Sequence, residues 1–236
     1  MGGKTKRVPR QVREQQMLDA AVATFARRGY RAASMDEIAE LAGVSKPLVY
    51  LYLNSKEELF TACIRREAAA LTEAVMAGVE PGAAPDRQLW CGLRAFFTHT
   101  TERPDGWTVL YQQARTQGEP FADEVAKMRA EIAEFVRELI AAAAREADCA
   151  GELAEREVTA LAHALVGAAE SLAGWGCGQP GQSGKDTAAT LMNFAWARPG
   201  QPHERPSLGT TSPVRWTRSP LRSSKRAPAS AVPQAA

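Results

Sequence analysis

Gly43-Val44-Ser45-Lys46-Pro47-Leu48-Val49-Tyr50-Leu51-Tyr52-Leu53-Asn54-Ser55-Lys56-Glu57-Glu58-Leu59-Phe60 is the stretch that decides the fold. Ala42-Gly43 closes one short helix, and Ser45 opens another that runs through Pro47 to about Tyr52. Proline is at home in a first turn, because its missing N–H would have no partner inside the helix. Gly43 relieves the tight corner, and Val44 plugs the space between the two helices. Val49 and Leu53 face inward, which presents Lys46, Leu48, Tyr50 and Tyr52 to solvent or a partner. A short helix, a glycine turn and a second short helix make a helix-turn-helix by length and turn chemistry. A cation and hydroxyls suit phosphates, and rings suit thymine methyls, so this outer side fits a major groove.

Working outward, Met17, Leu18, Ala21, Val22 and Phe25 predict a first helix over 11–28, stopped by Gly29. Ser34 with Glu37, and Ser55 with Glu58, read as capping boxes that start the second and fourth helices. The fourth runs to about Val79, where Pro81, Gly82 and Pro85 break the chain. Helices five and six are predicted over 86–103 and 105–117. The seventh, opened by Gly118-Glu119-Pro120, carries an apolar seam of Phe121, Val125, Met128, Ile132, Phe135 and Leu139. Helices eight and nine are predicted over 152–175 and 185–197. The expected class is all-α, with about nine helices: a three-helix helix-turn-helix head that suits DNA, followed by a larger helical body.

The net charge of +2 over 236 residues hides a partition. Residues 1–66 hold 12 Lys/Arg against 7 Asp/Glu, residues 67–197 hold 10 against 19, and residues 198–236 hold 7 against 1. A basic head, an acidic body and a basic tail are three different physical objects. The expected division is a basic disordered arm over 1–10, the helix-turn-helix over 11–56, the body over 57–197 and a disordered Pro/Ser/Arg-rich tail over 198–236. The tail has 7 of the 14 prolines and hardly any aliphatic residues, too little apolar area to offset its ordering entropy. A basic tail also adds electrostatic affinity for DNA. The helical run Asn193-Phe194-Ala195-Trp196-Ala197 is cut off abruptly by Arg198-Pro199-Gly200, which is equally what a shifted reading frame leaves behind.

The run from Gly43 to Phe60 resembles the recognition-helix signature of the TetR family of bacterial transcription regulators. Ala20–Phe25, Gly29-Tyr30, Ser34-Met35 and Ile38-Ala39 sit where that family has its first two helices. The likeness covers about 50 residues, with two departures: Leu51 replaces a usual aromatic, and Leu53 a common phenylalanine. The resemblance implies that Ser34, Tyr50 and Lys56 bond phosphates, and that Ser45, Lys46, Pro47, Leu48 and Tyr52 face bases or nearby backbone. It also implies double-stranded DNA with a palindromic operator as the partner. Lys4, Lys6, Arg7 and Arg10 of the arm suit minor-groove or non-specific contacts. Each residue taken singly has a plain structural reading: serines that cap, a half-buried tyrosine, a solvated lysine.

In such a family the body holds the effector and the dimer interface. Helix eight is rich in Ala and Gly, which allow close helix approach, and helix nine offers Leu191, Met192, Phe194 and Trp196. A homodimer through these two helices is expected. For a small hydrophobic effector, Phe96, Trp107, Tyr111 and Met128 are candidate walls, and His99, His163 and Glu170 candidate polar anchors. No catalytic motif stands out, and the histidines share no metal-ligand spacing with the cysteines, so neither cofactor nor metal is expected. No uninterrupted apolar run is longer than that of Leu139–Ala144, which is far too short for a membrane span. Four cysteines without a CxxC pair suggest reduced thiols and a cytoplasmic chain. The expected function is transcriptional regulation, repression released by ligand. The competing reading is a helical small-molecule-binding or enzymatic protein with a vestigial head.

Overall fold

The computed structural model describes residues 9–146, 155–176, 181 and 183–195. Every regular element among them is helical: α1 (Arg10–Ala32), α2 (Met35–Leu41), α3 (Lys46–Leu53), α4 (Lys56–Gly78), α5 (Pro85–Glu102), α6 (Pro104–Thr108), a π-helical turn (Val109–Ala114), α7 (Arg115–Gln117), α8 (Phe121–Glu146), α9 (Glu155–Gly176) and α10 (Gly184–Ala195). The arm residues Lys4, Lys6 and Arg7, together with Trp196 and the tail, lie outside the described residues.

The head closes around Met17, Leu18, Ala21, Val22 and Phe25 of α1, Ile38 and Ala39 of α2, and Val49 and Leu53 of α3, all buried. The stop expected at Gly29 is a break in helical geometry there (φ 77, ψ 159), with Tyr30–Ala32 continuing beyond it. Only glycine takes that backbone region at no steric cost. Gly43, at φ 67, turns the corner between α2 and α3.

The capping boxes are half formed. Ser34 Oγ accepts from the amide of Asp36 at 3.2 Å, while the Glu37 carboxylate accepts from Arg27 at 2.6 Å and Arg28 at 3.4 Å. Ser55 Oγ accepts from the amide of Glu58 at 3.0 Å, and Glu58 accepts from Asn54 Nδ2 at 2.8 Å. Ser45 occupies the N-cap of α3 but makes no side-chain cap bond. A cap oxygen normally takes the second or third helical amide. In α3 the second is Pro47, which has none, and Leu48 already donates to the Ser45 carbonyl at 2.9 Å.

The 23-residue α4 is shared by head and body. Leu59, Phe60, Cys63 and Ile64 complete the head's core, and Leu71 and Val75 belong to the body. Burial pushes the Cys63 thiol up to about 12, so it is an inert core residue. In the body, α8 packs along α9 and crosses α4 and α5, while α10 lies on α5. The seam of α8 is buried as expected, except that Phe135 is half-buried. The sixth helix differs from expectation: 104–117 is interrupted by the π-helical turn, a feature that often marks functional sites.

Candidate nucleic-acid interface and ligand cavity

On α3 one stripe is outward. Ser45, Lys46, Pro47, Tyr50 and Leu51 are exposed, with Leu51 at 74%. Leu48 and Tyr52 are half-buried beside the inward Val49 and Leu53. Tyr52 packs on the head core and lies 5.0 Å beneath the Arg10 guanidinium. Helical arithmetic contained the signal for Leu51, since positions 47, 50, 51 and 54 share one face. Lys46 Nζ bonds Asp36 Oδ2 at 2.9 Å, and this bond raises its pKa above the usual lysine value.

Ser34 is exposed at the start of α2. Lys56 is more constrained than an ordinary surface lysine. Its Nζ donates to the Arg31 carbonyl at 3.0 Å and sits 5.0 Å over the Tyr30 ring, and burial lowers its pKa. This ties the start of α4 to the end of α1 and uses one of three ammonium donors.

The body encloses a cavity of about 50 Å³ between α4, α5, α6, α8 and α9. Of the candidate ligand residues, Phe96, Trp107, Met128 and Glu170 line it. Tyr111 stands behind the wall, stacked on Trp107 with centroids 5.0 Å apart. His99 and His163 are not on the lining. His99 is half-buried elsewhere on α5, its pKa lowered by burial and then by Arg103. His163 is exposed, because it stands one helical step of about 100° from the buried Ala162. Sequence reasoning missed Arg129, which lines the cavity and donates to Glu170 Oε1 at 2.9 Å.

Head and body meet at four rings. Phe60 lies 4.7 Å from Phe25, 4.7 Å from Tyr30 and 4.9 Å from Phe121, centroid to centroid. The Tyr30 amide donates to Gln113 Oε1 of the π-helical turn at 3.3 Å. Trp107 of the cavity wall and Gln113 at the head are thus six residues apart along one chain segment. Among the described residues no group of three His, Cys, Asp or Glu side chains stands ready to hold a metal, and no helix is long and apolar enough to cross a membrane.

Comparison with known proteins agrees with this geometry. Residues 17–63 match the model described as bacterial regulatory proteins, tetR family, and residues 85–198 match a tetracyclin repressor-like C-terminal domain. A crystal structure of a TetR-like transcriptional regulator from Rhodococcus sp. RHA1 is 38% identical, covering 80% of this chain and 97% of that one, with a TM-score of 0.70. The HTH-type transcriptional activator FasR of Mycolicibacterium smegmatis is 37% identical over 106 residues, 45% of this chain and 48% of that protein. The chain spans about half the length of the curated relatives it matches. FadR from Bacillus subtilis, solved with stearoyl-CoA, shares the fold at 15% identity, covering 77% of this chain and 97% of that one (TM-score 0.67). On the two matched domains and the full-length likeness to the Rhodococcus protein, the chain belongs to the TetR family of bacterial regulatory proteins.

Proposed function

We propose that the chain is a sequence-specific DNA-binding transcriptional regulator that acts as a homodimer and is released from a palindromic operator by a small hydrophobic ligand. The carrying observation is α3. Its inner residues Val49 and Leu53 are locked in the core, while Lys46, Pro47, Tyr50 and Leu51 face outward on a helix the right size for a major groove. Ser34, Ser45, Leu48, Tyr52 and Lys56 flank that surface. Purified protein is expected to enrich a palindrome from fragmented genomic DNA. Absence of any enriched sequence favours the alternative of a helical ligand-binding protein with a vestigial head.

Within that reading, Lys46→Ala is expected to weaken binding to all sequences and to reduce the salt slope by about 1, because a cation near phosphate releases one counterion fewer. Lys56→Ala acts the same way if its two remaining donors reach phosphate. Tyr50→Phe is expected to cost about 1 kcal/mol with the slope unchanged, since it removes a hydroxyl and no charge. Gel-shift titrations between 50 and 200 mM salt separate the two behaviours.

Homodimerisation is supported by large apolar side chains left bare on the two helices expected to pair. Leu161 and Trp175 of α9 and Phe194 of α10 are 47%, 54% and 75% exposed. Two copies of such a face make a self-complementary interface. Phe194→Glu is expected to convert a dimer to a monomer in light scattering and to weaken operator binding at least tenfold, because two half-sites are no longer read together. An unchanged dimer would place the interface elsewhere.

Ligand response is supported by the connection between cavity and head. The present cavity is far smaller than the roughly 300 Å³ that ligand pockets start from, so an effector must part the helices around it. Trp107 leads through the π-helical turn to Gln113, which holds the Tyr30 amide. A ligand shifts DNA affinity only as far as it prefers one conformer. The sign of regulation follows from where the operator lies relative to the promoter. A promoter–reporter fusion is expected to show repression relieved by ligand, although the relative FasR is named an activator.

A further inference from the structure

The geometry points to a ligand class for the cavity: a straight-chain amphiphile whose carbonyl head accepts a hydrogen bond from Trp107 Nε1. This rests on the ligand-responsive reading above and makes it specific. Along α8 the lining runs from Met128 to Leu139, eleven residues or about 16 Å of helix axis. The site is therefore long. Its far end, at Val75, Leu89, Val136 and Leu139, is wholly apolar. Its polar groups gather at the other end. Trp107 stacks on Tyr111, the Arg115 guanidinium lies 5.1 Å over the Tyr111 ring, and Arg115 and Arg129 both reach Glu170, at 3.6 and 2.9 Å.

The second observation is Trp107 itself. It is 5% exposed, and its Nε1 is buried with no hydrogen-bond acceptor among the described residues. Buried indole N–H groups ordinarily find a partner. Tyr111 and Phe96 cover the ring with carbon, at 5.0 and 5.5 Å between centroids, and Trp107 lines the cavity, which makes what enters the cavity the source of the missing acceptor on this assignment. Two arginines against one glutamate at the same end favour a head that carries partial or full negative charge. A carboxylic acid, an ester and a thioester share this chemistry: an apolar tail and a carbonyl oxygen.

The test uses the full-length protein and two probes of equal chain length, 2-octanone and octane. The ketone is expected to bind about tenfold more tightly, the equivalent of about 1.4 kcal/mol, and to shift the Trp107 indole 15N–1H resonance, which octane leaves in place. In Trp107→Phe, which keeps an aromatic wall and loses the donor, the two probes are expected to bind alike. The resonance shift is read in the unaltered protein, so it stands even if the variant folds poorly. Equal binding of both probes to the unaltered protein, with the resonance unmoved, overturns the head-group assignment and leaves the ligand cavity intact. Binding of neither probe overturns both.

Discussion

Glu67→Ala is expected to destabilise the fold by about 3–5 kcal/mol, the usual cost of removing one partner from a buried ionic group. Glu67 is 1% exposed. Its carboxylate accepts from Arg66 Nε at 3.0 Å and Nη2 at 2.8 Å, and from Arg103 Nη2 at 3.1 and 3.0 Å. Arg66 continues to Asp19 of α1 at 2.7 Å, so one carboxylate links α1, α4 and the junction between α5 and α6. Gly106 packs directly on it, and a Cβ at that position would overlap Glu67 Oε2. Removing the carboxylate leaves Arg66, whose side chain is 18% exposed, with Asp19 as its remaining acid. Arg103 is 45% exposed and turns to water, which holds the loss toward the lower end of that range. The check is the urea midpoint with the slope unchanged. Glu67→Gln keeps the volume and part of the bonding and is expected to fall between. An alanine variant within about 1 kcal/mol of the parent would mean that solvent already serves both arginines, as it does for surface pairs.

Glu67 also shows where reading a sequence stops. In a helix containing Glu57, Glu58, Arg65, Arg66 and Glu73, one more glutamate reads as a solvated face. Its burial is set by Arg103 and Gly106, more than thirty residues away. The head was legible because its determinants are local: a glycine corner, two serine N-caps and an inward pair four residues apart. Even there the reciprocal half of each capping box went elsewhere, to Arg27 and Asn54, and Pro47 removed the amide that Ser45 would have taken. In the body, apolar walls such as Phe96 and Met128 followed from helical period. Of the candidate polar anchors Glu170 is on the lining and the two histidines are not, and a phase error of one residue separates His163 in solvent from Ala162 in the core. The π-helical turn has no local signature, and Gln113 gains its role only through contact with Tyr30, 83 residues earlier.

The other large effect falls on Phe60, where packing and function coincide. Phe60→Ala is expected to cost about 3–5 kcal/mol, the sum of lost burial and the cavity left behind. The ring is fully buried and touches Phe25 and Tyr30 of α1 and Phe121 of α8, so its removal loosens the head's core and the head's seat on the body together. A fall in melting temperature alone would not separate these. Phe121→Leu does, because it leaves the Phe25–Phe60 contact within the head intact and thins only the side contributed by α8. That variant is expected to cost less than about 1.5 kcal/mol while weakening the link between ligand and operator affinity. If the four rings are the rigid contact through which movement around the cavity reaches α1 and α3, ligand should shift operator affinity several-fold less in Phe121→Leu than in the parent protein. An undiminished ligand effect would place the coupling in the Gln113–Tyr30 hydrogen bond, which Gln113→Ala then isolates.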